Sequence, residues 1–305
     1  MRLRDYIAIA ILFLGALASY TMTAQEDGQK KQTRRPDPTQ IGPLKQEPRL
    51  GISHSQSKRP IPDERPNDPR IVVQVEKKEG SSMGTAFSID ASGIWVTAHH
   101  VTSDCDLLGL EKSDRRLIRV VELTERPDAD ISILRTQRGA PILKVVRPGF
   151  HMGDEGYSFG FPKGSPGAVY GKVLGRARMQ TRGRYRKDEP VIVWTQIRRV
   201  PDLGADLRGI SGGPWVDKAG NVIGVHVAGA PRRGRSYSTA PRTLLAAIEE
   251  SGVSMAKVSR GQPPKADLTP RRFAQYGELL RRDLTVAKVV CLVGEKWRKL
   301  ANHSR

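Results

Sequence analysis

The stretch Gly209-Ile210-Ser211-Gly212-Gly213-Pro214 sets a serine in a turn built of glycines and closed by a proline. Upstream lie Val96-Thr97-Ala98-His99-His100-Val101 and then Asp128-Ala129-Asp130-Ile131-Ser132-Ile133-Leu134. A serine hydroxyl is a poor nucleophile until an imidazole takes its proton, and the imidazole needs a carboxylate to hold its tautomer. Three separated segments offer these parts in the order His, Asp, Ser. The Gly-x-Ser-x-Gly spacing also fits a strand–turn–helix nucleophile, but that arrangement requires its carboxylate and histidine after the serine. Here both candidates precede it.

Around these segments the chain reads as short apolar runs separated by Gly, Asp and Pro. The runs at 71–75, 85–89, 93–97, 117–123, 131–134, 156–159, 168–174, 191–196, 214–216 and 222–227 predict strands. Many short strands with turn signals between them indicate an antiparallel sandwich or barrel assembly. Asp90-Ala91-Ser92-Gly93 and Asp217-Lys218-Ala219-Gly220-Asn221 have the residues of tight hairpin turns. The first helical spacing comes at 241–248. A second helix is predicted to start at Thr269-Pro270 and run over 271–283, followed by a strand-like segment at 286–293.

The stretch Gly84-Thr85-Ala86-Phe87-Ser88-Ile89-Asp90-Ala91-Ser92-Gly93-Ile94-Trp95, running on into the His99-His100 segment, resembles the first-barrel signature of bacterial trypsin-like serine proteases. That group includes the high-temperature-requirement proteases and the glutamyl endopeptidases. Asp130 with Ile131-Ser132-Ile133-Leu134 resembles their Asp-Leu-Ala-Val-Leu segment. Gly153-Asp154-Glu155-Gly156-Tyr157-Ser158-Phe159-Gly160-Phe161-Pro162 and Ser211-Gly212-Gly213-Pro214 resemble two further motifs. The resemblance covers 71–251. It implies an all-β fold of two antiparallel six-stranded β-barrels over 70–255, with a C-terminal helix and a short tail, 256–305, docked on the core. It makes His100 the general base in preference to His99, Asp130 the orienting carboxylate in preference to Asp128, and Ser211 the nucleophile. The backbone N–H groups of Gly209 and Ser211 would form the oxyanion hole. The function implied is a serine endopeptidase acting through an acyl-enzyme; the alternative is an inactive, protease-like peptide-binding module. Ile210 stands where animal trypsins carry the aspartate of their zymogen switch, so no such switch is expected.

The specificity pocket is read from Ala205, Asp206, His226 and Gly229. Ala205 occupies the place of trypsin's carboxylate, so a trypsin-like preference is not supported, although Asp206 would favour a basic side chain if it pointed inward. Gly224-Val225-His226-Val227-Ala228-Gly229 resembles the segment of glutamyl endopeptidases whose histidine contacts the substrate carboxylate. An acidic or small residue before the scissile bond is therefore expected, with a core-facing His226 as the other reading.

The ends of the chain differ from the middle. Basic residues at the N-terminus lead into an apolar run at 6–22, which fits a cleaved signal peptide or a retained membrane anchor over 1–24. Either exports the rest, to the periplasm or beyond. Residues 25–69 are rich in Pro, Gln, Lys, Arg and Asp without periodicity and read as a disordered linker. The formal net charge is +19, with a basic stretch at 172–187. That stretch is either a solvated loop or an attachment to anionic lipid, envelope polymer or acidic substrate. Nucleic acid is not an expected partner of an exported chain. Cys105 and Cys291, the only cysteines, form no C-x-x-C pair, and no ligand cluster for a metal or signature for a cofactor is present. In an oxidising compartment the two either pair, clamping the C-terminal segment onto the first barrel, or stay as separate buried thiols.

Overall fold

A computed structural model describes residues 59–77, 80–202, 206–230, 233–262, 264, 268–295 and 297. The expected signal peptide or anchor lies outside these residues, as does the expected linker up to residue 58. Among the described residues no helix is long and apolar enough to cross a membrane. The strands are β1 (Arg70–Val75), β2 (Ser82–Asp90), β3 (Ile94–Thr97), β4 (Leu107–Glu111), β5 (Leu117–Glu125), β6 (Ser132–Thr136), β7 (Glu155–Gly160), β8 (Gly167–Gly183), β9 (Asp188–Val200), β10 (Pro214–Val216), β11 (Val222–Ala230), β12 (Arg235–Thr239) and β13 (Val286–Leu292). The helices are α1 (His99–Thr102), α2 (Pro241–Glu250), α3 (Met255–Val258) and α4 (Phe273–Arg282).

The predicted hairpin turns hold for the chemical reason given. Asp90 Oδ1 accepts the Ser92 N–H at 2.7 Å between β2 and β3, and Asp217 Oδ1 accepts the N–H groups of Ala219 and Asn221 between β10 and β11. These hairpins belong to two sheets. The first is a closed barrel in the order β13-β2-β3-β6-β5-β4. The second runs β1-β8-β7-β10-β11-β12-β9, and an added β8–β9 pairing brings six of its strands into a ring. The core of this second sheet holds Trp194 stacked on Trp215, with ring centroids 4.2 Å apart, and the Trp194 indole donates to Ser238 Oγ.

Three expectations are corrected. The segment at 286–293 is not a tail docked outside the barrels: β13 is a barrel strand, paired from Val286↔Phe87 to Cys291↔Ser82 on one side and from Lys288↔Glu111 to Leu292↔Leu107 on the other. It satisfies the edges of both β2 and β4, which would otherwise present unpaired backbone groups, so a domain boundary at 255 would open the barrel. Both six-strand rings are antiparallel throughout, as expected, and β1 is added outside the second ring, parallel to β8 from Arg70↔Arg178 to Val75↔Gly183. Residues 59–69 are not free linker: the Ile61 N–H donates to Phe150 O, and Arg176 reaches Pro62 O and Glu64. Finally, the basic stretch at 172–187 is no loop but the outer half of the β8–β9 hairpin. Arg176, Arg178 and Arg184 are engaged with Glu64, Asp188 and Asp104, which leaves Arg182 and Arg186 exposed.

The C-terminal segment is anchored twice. Helix α4 buries Phe273, Tyr276, Gly277 and Leu280, and a Cβ on Gly277 would come 2.6 Å from the Phe159 ring on β7. Beyond it, Cys291 of β13 forms a disulfide with Cys105, just after α1.

Candidate active site

Barrel register brings the first two site residues together. The antiparallel β3–β6 pair aligns Thr97 with Ser132, so the turn after β3 and the residue before β6 meet at one end of the barrel. Helix α1 starts there and presents His100, while Asp130 leads into β6. His100 Nδ1 lies 2.7 Å from Asp130 Oδ2, and the His100 backbone N–H donates to Asp130 Oδ1 at 2.8 Å. The carboxylate is buried, whereas the imidazole is about a quarter exposed, at 26%. Burial pushes the Asp130 carboxyl up, yet the charge and hydrogen bonds of His100 outweigh it and hold it below the usual range. The competing residues go elsewhere. His99 Nδ1 faces Glu125 at 3.3 Å, and Asp128 is bound by Arg126 at the surface.

The serine turn is shaped by its glycines. Gly209 and Gly212 have φ of +102° and +86°, a region that side chains other than glycine rarely adopt. A Cβ on Gly209 would stand 2.4 Å from Phe161 O, and one on Gly212 would stand 2.0 Å from Thr85 O. Within the turn the N–H groups of Ile210, Gly212 and Gly213 donate to Leu207 O, His226 O and Ile210 O. Those of Gly209 and Ser211 have no acceptor among the described residues. Both residues are partly exposed, so these two donors stay open to an incoming acceptor. Their direction follows from the peptide plane. The Arg208 carbonyl accepts from Lys163 N–H at 2.6 Å, so the Gly209 N–H of the same trans peptide points the opposite way.

A cleft of about 570 Å³ joins these parts, with His100, Asp130, Gly209 and Ser211 all on its wall. Val227, Ala228 and Gly229 of β11 line the side next to Ser211, and β1 lines part of the other side. Thr85 on β2, which the sequence reading passed over, clamps the turn: its N–H donates to Ser211 O and its hydroxyl to Gly209 O. A threonine within the quoted first-barrel stretch was the available signal.

The three pocket candidates among the described residues, Asp206, His226 and Gly229, are not brought together. Gly229 lines the cleft, and Ala205 lies outside the described residues. Asp206 turns to Arg208 at 2.8 Å, with Lys163 at 4.0 Å, and hydrogen bonds from Arg208 hold its carboxyl down at about 2. His226 is 2% exposed, lies against Trp215 with rings nearly parallel, and has Ser158 Oγ 3.5 Å from Nδ1. Burial, reinforced by the charge of His100, pushes it down to about 3. His226 thus takes the core-facing reading, away from a substrate carboxylate.

Residues 84–225 match the trypsin-like peptidase domain family. Over these residues the chain is similar to the trypsin-like serine peptidases. The chain is 28% identical over 160 residues to an uncharacterised protein of Sinorhizobium fredii, a match covering 49% of this chain and 22% of the relative. It is also similar to proteins named "periplasmic serine endoprotease DegP-like". The one from Ectopseudomonas mendocina is 24% identical over 190 residues, 61% of this chain and 38% of the relative. The one from Brucella suis is 28% identical over 225 residues, 70% of this chain and 40% of the relative. The chain thus spans well under half the length of each of these relatives. Among solved structures, the active form of the Rv3671c protease from M. tuberculosis overlaps 63% of this chain and 93% of that chain, at 15% identity and a TM-score of 0.45.

Proposed function

We propose that this trypsin-like protein is a serine endopeptidase of the cell envelope. His100 takes the proton from Ser211 as Ser211 Oγ attacks the scissile carbonyl, and Asp130 holds the imidazole in the tautomer that accepts it. The Gly209 and Ser211 N–H groups receive the oxyanion, where fixed donors need no reorganisation as charge develops. His100 then protonates the leaving amine, and water attacks the acyl-enzyme by the reverse sequence. The observation that carries this reading is a single cleft holding the His100–Asp130 pair, Ser211 and two backbone donors without acceptors. The envelope is favoured by the apolar N-terminal run, by the Cys105–Cys291 disulfide and by relatives whose names place them in the periplasm.

For specificity, Asp206 is already engaged by Arg208 and Lys163, which disfavours a basic residue before the scissile bond. A small uncharged or acidic residue fits a wall made of Val227, Ala228 and Gly229 with Arg208 at its rim. A second reading, a peptide-binding scaffold without turnover, draws on the lack of a hydrogen bond between Ser211 Oγ and His100 among the described residues. Such bonds are often long before substrate binds. The test is hydrolysis of a quenched-fluorescent peptide library by the exported protein and by Ser211→Ala. Turnover confined to the wild type supports the endopeptidase, and saturable peptide binding without turnover by both supports the scaffold.

A further inference from the structure

The hairpin of β8 and β9 extends past its barrel and folds back over the His100–Asp130 pair, a contact that the catalytic reading does not use. Its last ladder pair is Gln180↔Asp188, and from there the tip sends side chains across to the first barrel. The Arg184 guanidinium donates to His100 O at 2.9 Å. The Tyr185 hydroxyl donates to Asp130 Oδ1 at 3.2 Å. Lys187 Nζ donates to Ala129 O and Arg126 O, and the Asp130 backbone N–H donates to Glu189 Oε1 at 2.8 Å. One hairpin of the second sheet thus binds the backbone leading into Asp130, at Arg126 O, Ala129 O and the Asp130 N–H, and also its carboxylate.

The division of labour among the oxygens gives Tyr185 its meaning. Oδ1 takes two donors, the His100 backbone N–H and the Tyr185 hydroxyl, while Oδ2 takes only the His100 ring. A carboxylate held at one oxygen by a single backbone bond can still rock about its Cβ–Cγ axis. A second donor from the opposite wall removes that freedom, so that Oδ2 stays in line with Nδ1. The tyrosine is itself fixed: its ring meets His99 edge-on at 4.9 Å, with the cations of Arg184 and Lys187 5.7 and 5.5 Å from the centroid. Burial and the Asp130 charge keep its hydroxyl protonated, far above the usual phenol range, so it donates at any pH where a histidine base can work.

We propose that Tyr185 is a positioning residue for the catalytic carboxylate, fixing Asp130 so that its second oxygen faces the His100 ring. The β8–β9 hairpin is thereby a working part of a site whose His and Asp come from the other barrel. The proposal rests on the endopeptidase reading above and deepens it.

The test compares Tyr185→Phe with the wild type, alone and on an Asp130→Asn background, using the intact exported protein. Phenylalanine keeps the ring against His99 and removes only the hydroxyl. A lost hydrogen bond to a charged group corresponds to a fall in kcat on the order of tenfold to a hundredfold, with KM within about twofold because no substrate contact changes. On the Asp130→Asn background, where the carboxylate is already gone, the same substitution should lower kcat no further. A readout free of turnover is the downfield proton resonance of the His100 Nδ1–Asp130 bond, which should move in Tyr185→Phe. An unchanged kcat and resonance would overturn the proposal, and so would an equal loss on the Asp130→Asn background, which marks a structural effect. A wild type that hydrolyses nothing, with a resonance that moves in Tyr185→Phe, would remove the endopeptidase reading and leave the positioning contact standing.

Discussion

Replacing both cysteines, Cys105→Ala with Cys291→Ala, should lower stability by an amount set mainly by the length of chain the bridge closes. The two are 186 positions apart in sequence, and the loop-closure entropy removed from an unfolded chain by so long a loop corresponds to about 5 kcal/mol. The bridge joins the segment after α1 to β13, whose 0%-exposed Cys291 lies in the wall of the first barrel. Against a typical domain stability of roughly 5–15 kcal/mol this is a large share. For a protein of this size it corresponds to a midpoint lowered by roughly 10–20 °C. Calorimetry or urea unfolding of the oxidised wild type and the double variant measures it. The entropic origin makes a second demand: the folded variant should keep β13 in place, with hydrogen exchange of the β13–β2 ladder close to wild type. A midpoint lowered by less than about 3 °C would refute the loop-closure argument. Rapid exchange confined to β13 would show instead that the bridge acts on the folded state.

Gly209→Ala should lower kcat by roughly 10²–10³, because the added Cβ would meet Phe161 O at 2.4 Å and force the turn to move its N–H out of the cleft; steady-state kinetics on a protein with native circular dichroism checks it. Glu189, buried beside Asp130, has its carboxyl raised to about 8 by burial first and by the Asp130 charge second. A carboxyl raised above its unfolded value holds its proton longer in the folded state, so this group's contribution is present below about 4.5 and is lost as pH rises toward 8. Glu189→Gln should therefore flatten the decline of stability across that window, as read by urea midpoints at several pH values; an unchanged slope would count against a protonated Glu189. Arg208→Ala should release Asp206 from the guanidinium, leaving it the residue-208 backbone N–H and Lys163 at 4.0 Å, and raise turnover of peptides with Lys or Arg before the scissile bond relative to small residues. A library profile identical to wild type would show that Asp206 does not reach the pocket.

What the sequence made legible was local chemistry. The Asp90 and Asp217 turns, the helical spacing that became α2 and α4, and most strands could be read because each rests on nearby residues. Strand β4 was missed because Gly109 and Glu111 interrupt its apolar reading, and β12 because Arg235, Ser236 and Ser238 do; each is completed by a partner distant in sequence, β13 for the first and β9 for the second. The same limit explains β13, whose apolar run was seen but whose place between β2 and β4 is a matter of topology. In the site, His100 and Asp130 face one another; the resemblance singled them out, since spacing alone left His99 and Asp128 open. His226 lies buried beside Trp215 in a strand covered on both faces from Val222 to Ala228, a fact that only the fold supplies. Tyr185 was visible as one aromatic among arginines at 182–187, but nothing local said that this tip folds onto Asp130.

The most direct test of the central claim is to treat the exported protein with a fluorophosphonate probe and locate the adduct by peptide mass spectrometry. The account predicts one adduct, on Ser211, formed at neutral pH and absent from His100→Ala treated for the same time. An unlabelled wild type, or labelling of Ser211 that survives unchanged in His100→Ala, would contradict it.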